Sequence, residues 1–123
     1  MHLEGIDMSN GELFVKRLLR AVPELNAVYD ESLEDNDMLL PHVFMGDVTR
    51  FIAAEAGRTS GTSILQRFLR HLENELSAGD AEAIELIRAS FIENLIGEKA
   101  VVNKLMPLME PSLLREVEAI HGN

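Results

Sequence analysis

Four histidines, one long run of carboxylates and one Gly/Ser/Thr-rich stretch are the places where this chain could do chemistry. His42 follows Pro41 and precedes Asp47 by five residues inside DESLEDNDMLLPHVFMGD (30–47), a stretch with six carboxylates and no Lys or Arg. An imidazole among carboxylates can act as a general base; the plainer reading is a polar residue in the first turn of a helix. Glu118 and His121 form a Glu-x-x-His pair, half of the ligand set of carboxylate-bridged di-metal bundles. Such sites need two pairs and two further carboxylates, and no second pair exists here. His71, with Asn74 and Glu75 one turn on, reads as a solvated helix face, and His2 lies near the N-terminus.

The acidic stretch also fails as a calcium loop. An EF-hand needs Gly at its sixth position and Glu at its twelfth. Counting from Asp30 places Asp35 and Pro41 there, and counting from Asp35 places Leu40 and Gly46. GRTSGTS (57–63) could cradle a phosphate at a helix N-terminus, but it lacks the P-loop lysine and follows no strand. No Gly-x-Ser-x-Gly occurs, and carboxylate pairs such as Glu73 and Glu82 are commonplace in an acidic helical chain. The sequence therefore assigns no catalytic residue, no metal site and no cofactor, and the expected protein is not an enzyme.

Composition narrows the remaining classes. A chain of 123 residues that is 46% hydrophobic is one domain able to bury its own core. The absence of cysteine excludes disulfides, thiolate nucleophiles and Cys-based zinc sites. The start, MHLEGIDMSNGELF, has acids where a signal peptide needs positive charge, and no apolar run approaches a membrane span. The expected location is the cytoplasm. A formal charge of −10 argues against nucleic-acid binding, which requires clustered Lys and Arg.

That charge is unevenly spread. Residues 21–49 hold Glu24, Asp30, Glu31, Glu34, Asp35, Asp37 and Asp47 and no base. Arg50, Arg58, Arg67 and Arg70 then face only Glu55 across 50–70, and Glu73, Glu75, Asp80, Glu82 and Glu85 stand unopposed across 71–87. Such a field either keeps a surface solvated or steers a basic protein onto it.

The elements that must position these groups are helices. Ile64, Leu65, Phe68, Leu69, Leu72 and Leu76 recur at helical spacing. Thr59-Ser60 and Thr62-Ser63 supply start signals and Gly79 a stop. Asp80 should cap the next helix, with Ile84, Ile87, Phe91 and Leu95 as its stripe, the two forming a central antiparallel hairpin. Upstream, Ser9 or Asn10 opens a helix to Ala21, and Pro23 opens one carrying Leu25, Val28 and Tyr29. Another runs from Pro41 to Ala56 with Phe44, Val48, Phe51 and Ile52 on one face. Val101, Val102, Leu105 and Met106 mark a short helix after Gly97, and Pro111 opens the last. No β-alternation persists. The expected fold is all-α, a single domain spanning 1–123 built as a compact bundle of six to seven amphipathic helices, with residues 1–8 frayed; a short α-superhelix is the alternative.

A small, acidic, cysteine-free, all-helical chain of this layout resembles the immunity proteins that protect bacteria from toxins of contact-dependent and polymorphic systems. LPHVFMGDVTRF (40–51) and SFIENLIGE (90–98) are also similar to segments of an uncharacterised family of small bacterial helical domains. The resemblance implies a cytoplasmic inhibitor that binds the C-terminal domain of a cognate toxin, a basic nuclease, by stoichiometric blockade, with no nucleic-acid or membrane partner. Asp30, Glu31, Glu34, Asp35, Asp37 and Asp47, with Glu73 and Glu75 from a second face, would steer it. Tyr29, Met38, Leu39 and Met45 would anchor it. A helical interaction or adaptor domain, with an unrelated partner or self-association, is the rival expectation.

Overall fold

The computed structural model describes residues 9–58 and 62–121. Among them are seven α-helices and no strand: α1 (Asn10–Ala21), α2 (Asn26–Asn36), α3 (Pro41–Ala56), α4 (Thr62–Ala78), α5 (Ala81–Ile87), α6 (Lys99–Leu105) and α7 (Pro111–His121). The expected fraying of residues 1–8 and the start signal at Thr59-Ser60 fall outside the described residues.

Local sequence accounts for most boundaries. Ser9 and Glu12 form a reciprocal capping box at the start of α1, with Glu12 N–H donating to Ser9 Oγ at 3.1 Å and Ser9 N–H donating to Glu12 Oε1 at 3.0 Å. Asp80 caps α5 by accepting from Ala83 N–H at 2.8 Å. Pro41 and Pro111 each occupy the first position of a helix, where the missing N–H matters least. Gly79, at φ +83°, ends α4 in the left-handed conformation that glycine adopts without strain.

Two expected elements differ. Pro23 opens a 3-10 turn, Pro23–Leu25, and the α-helix proper begins only at Asn26. The helix expected from Asp80 to Leu95 is α5 followed without a break by a π turn, Arg88–Ile92, and a 3-10 turn, Glu93–Leu95. Its extra residue buries Ser90, Phe91 and Ile92 consecutively, which a regular helix with one inward face cannot do. Ile84, expected inward, is only half-buried, and Ala83 and Leu86 take that face instead.

One core unites the helices, which makes the molecule a bundle. Phe14, Val15 and Leu18 of α1 meet Phe44, Val48 and Ile52 of α3, Phe68, Leu69 and Leu72 of α4, Leu86, Ile87 and Phe91, and then Leu105, Leu113 and Val117. Phe68 and Phe91 pack edge to face at its centre, centroids 5.2 Å apart. A Cβ at Gly11 would stand 2.8 Å from Glu82 Oε2, the movable end of an exposed side chain of α5. No helix of the described residues is long and apolar enough to cross a membrane.

Candidate partner-binding surface

Helix α2 hangs on the edge of this core. Tyr29 packs edge-on against Phe44 at 5.7 Å and 86°, Val28 lies against the core, and Ser32 is buried. The opposite side carries Asp30, Glu31, Glu34 and Asp35, all exposed. Asp30–Glu34 and Glu31–Asp35 are spaced four apart, so like charges stack along the helix surface and repel. The last turn contains no base, and its first turn contains no acid. The carboxylates therefore gather towards the negative end of the helix dipole, where they are disfavoured. Asp37 closes the helix at φ 62°, a left-handed conformation, with its N–H bonded to Leu33 O at 2.8 Å.

Elsewhere six arginines neutralise carboxylates in pairs, while among the described residues exposed Glu82, Glu85, Glu93, Glu98 and Glu118 also enter no ion pair. Arg67 holds Glu24 through two bonds of 2.9 and 2.7 Å, which draws the Glu24 carboxyl down to about 2. Arg88 holds Glu116 at 2.7 and 2.9 Å, and this lowers Glu116 despite the opposing effect of burial. Arg17 pairs with Glu75, Arg70 with Glu110, Arg50 with Asp47, and Arg58 with Glu55 at 3.9 Å. Among the described residues Asp30, Glu31, Glu34, Asp35 and Asp37 enter no ion pair. Their negative charge is left to water.

At the end of α2 the chain turns through Met38, which is 60% exposed, and returns to the core with Leu39, half-buried. Helix α3 then presents His42 and Val43 outward, Val43 at 44% exposure. The acidic helix thus runs into exposed Met38, and exposed Val43 follows in the first turn of α3.

Several residues expected on a partner-facing surface are elsewhere. Met45 is wholly buried in the core, because α3 turns the Phe44–Met45 side inward. Glu73 is buried and caps α7 from α4, accepting from Ser112 N–H at 3.1 Å and Leu113 N–H at 2.9 Å. Burial alone would raise its carboxyl, but those N–H donors outweigh it and hold the group below its ordinary value. Glu75 is buried under Arg17, which donates to it at 2.6 and 2.9 Å. Asp47 is neutralised by Arg50. Tyr29 is half-buried against Phe44, and its ring serves mainly to hold α2 on the core. Val43 is the residue that sequence reasoning missed. Its one signal was position: it lies at the third residue of α3, one before the inward Phe44.

The histidines are placed structurally. His71 is not a solvated face. It packs beside Phe14, centroids 6.1 Å apart, with Nε2 3.1 Å from Glu75 Oε2 but buried without hydrogen-bond geometry. Burial pushes its imidazole below the ordinary value, Glu75 opposes this, and Arg17 pushes it lower again. This group borders a hollow of about 420 Å³ shared with Asn10, Asn74 and Asp80. It contains no nucleophile, and its buried carboxylate is already held by an arginine. His42 Nδ1 meets Ser90 Oγ at 2.5 Å, so the exposed imidazole is tied to a buried hydroxyl of the π turn. His121 Nε2–H donates to Ile92 O at 3.2 Å, and no group of three metal-ligating residues exists among the described residues.

The structure is an all-α bundle whose densest run of exposed, unpaired carboxylates lies on α2 and its C-terminal cap. A family model matches residues 15–122, and the chain belongs to that family, a domain of unknown function designated DUF7674. Among curated proteins and among solved structures, nothing matches the chain.

Proposed function

We propose that this protein is a non-catalytic inhibitor, an immunity protein that binds a cognate toxin domain and blocks it one-to-one. The observation that carries this reading is α2 with its C-cap: five exposed carboxylates within Asp30–Asp37 that enter no ion pair, the densest such run on a molecule whose arginines are largely spent in ion pairs. Retaining like charges on adjacent turns destabilises the free protein. It is favourable when a basic surface arrives, because complementary fields accelerate encounter by orders of magnitude. An inhibitor must bind before the toxin acts, so association rate is the property such a surface improves. The partner is then a basic protein, with a nuclease as the leading case, since carboxylates can occupy the sites of phosphates.

Calorimetric titration against the toxin-like C-terminal domain encoded beside the gene, at low and high salt, tests this. The expected result is one-to-one binding that weakens as salt rises. Reversing Asp35 and Asp37 to lysine should slow association at low salt; unchanged rates would count heavily against electrostatic steering. The second reading, an adaptor domain, is favoured by Ile96, 58% exposed beside a hollow of about 480 Å³ lined by Val102, Met106, Val117 and Ile120. Absence of toxin binding at either salt, with self-association through that hollow, would put it first.

A further inference from the structure

We infer that the α2–α3 corner docks an amphipathic cationic segment of another protein, its apolar residues seated on Met38 and Val43 and its Lys or Arg side chains set against α2. The inference rests on the partner-binding reading above but does not require the partner to be a toxin.

Two features adjoin along the chain here. The outer face of α2 is unpartnered and carries two i,i+4 carboxylate rows, Asp30–Glu34 and Glu31–Asp35, followed by Asp37. Charge alone would suit any polycation. Met38 and Val43, five residues apart across the turn, are two of the four large apolar side chains exposed on the described surface. A methionine is unbranched and polarizable, and so adapts to varied apolar contacts. Carboxylates on one side and apolar side chains at the end match a segment that is itself cationic and apolar. They do not match a nucleic acid, which the acidic face would repel, or a bare polybasic tail, which would leave the apolar pair unused.

The connection between α2 and α3 is short. Asp37 in its left-handed conformation ends α2, Leu39 returns to the core, and Pro41 starts α3 at once. His42, in the first turn of α3, is tied to Ser90 of the π turn. Met38 therefore projects from a short connection whose far side, α3, is seated on the core.

Two synthetic peptides of equal charge, one an amphipathic Lys/Leu helix and one oligolysine, separate the possibilities in NMR titrations of the isotope-labelled full chain at about 150 mM salt. The Lys/Leu peptide should bind about tenfold more tightly, the worth of burying one or two methylene-sized groups. Shifts should centre on α2 and on the Met38 and Val43 methyls. Met38→Ser should abolish the preference and leave oligolysine binding within about twofold, since only apolar contact is removed. The combined variant Asp30→Asn, Glu34→Gln, Asp35→Asn should weaken both peptides yet melt at a higher temperature, because its like-charge rows are gone. Equal binding of the two peptides, an unaltered preference in Met38→Ser, or shifts centred on the Ile96 hollow would each overturn the corner. If a toxin binds but shifts residues elsewhere, the corner fails and the inhibitor reading survives. If the Lys/Leu peptide docks here and no toxin binds, the inhibitor reading fails and the corner survives.

Discussion

Glu73 illustrates how one carboxylate can be mistaken for surface charge when its duty is to terminate a helix. It reaches from α4 to the N-terminus of α7, where both bonded N–H groups lack intrahelical partners. Glu73→Ala should cost about 2 kcal/mol, the range for losing a charged cap that satisfies buried donors. Urea unfolding measures it, and a loss below about 0.5 kcal/mol would mean that water replaces the cap. Ser32 is the opposite case, a hydroxyl buried on α2 whose Oγ has no hydrogen-bond partner among the described residues. Ser32→Ala removes a desolvated polar atom with little change of volume and should raise stability by about 1 kcal/mol. A fall in the unfolding midpoint would show that the hydroxyl is satisfied after all.

His71 adds a pH dependence at the same scale. Its imidazole is held below its ordinary 6.5 in the folded protein, so protons bind the unfolded chain more readily. The contribution is complete above about pH 6.5 and is lost as pH falls through the lowered value. Glu24, Glu73 and Glu116, also lowered, add to this at more acid pH, since their stabilisation is present above about 4.5 and fades below it. Unfolding midpoints should therefore hold above about pH 6.5, fall below it as His71 takes up its proton, and fall further below about 4.5. His71→Gln should flatten the upper part of that curve and leave the lower part, and an unchanged upper slope would assign the loss to other groups.

At the scale of elements, α2 is the helix with least local support. It has no side-chain N-cap, no base in its last turn and an Asp in the left-handed position at its end. Asp37→Gly corrects both the backbone conformation and the charge, and should stabilise the protein by roughly 0.5–1 kcal/mol. Asp37→Asn separates the two effects, because Asn tolerates the left-handed region and carries no charge. If Asn gains as much as Gly, the charge dominates; if it gains little, the backbone does. Hydrogen exchange should find α2 the first helix to open. The π turn is irregular for a different reason, with its backbone carbonyls serving side chains. Ser90 O lies 2.9 Å from Thr49 Oγ1 and accepts Asn94 Nδ2 at 2.8 Å, while Ile92 O accepts from His121.

For the whole molecule, the aromatic centre should dominate stability. Phe91→Ala, at the contact with Phe68, should cost about 3–5 kcal/mol, and in a domain of this size that approaches much of the total. Rising salt should have two opposed effects overall. It should stabilise the free chain by screening the α2 rows while weakening capture of a cationic partner. A binder without these carboxylates in its interface would show only the first.

The helices, their order and most of their caps could be read from the chain because they depend on local physics. Apolar spacing selects a face, proline fits a first turn, glycine permits a left-handed stop, and Ser or Asp satisfies free N–H groups. The acidity of residues 30–37 was equally plain. Which carboxylates remain available was decided only in three dimensions. Glu75 is met by Arg17, 58 residues away, and Glu73 by Ser112 and Leu113, 39 and 40 residues away, partners that no periodicity could supply. Met45 and Met38 are the same residue type on either side of one helix start, yet one is buried and the other is 60% exposed. The burial of Met45 follows from the rotation at which α3 docks on the core, and the exposure of Met38 from its place in the connection before that helix, both set by packing among several helices and by no single segment.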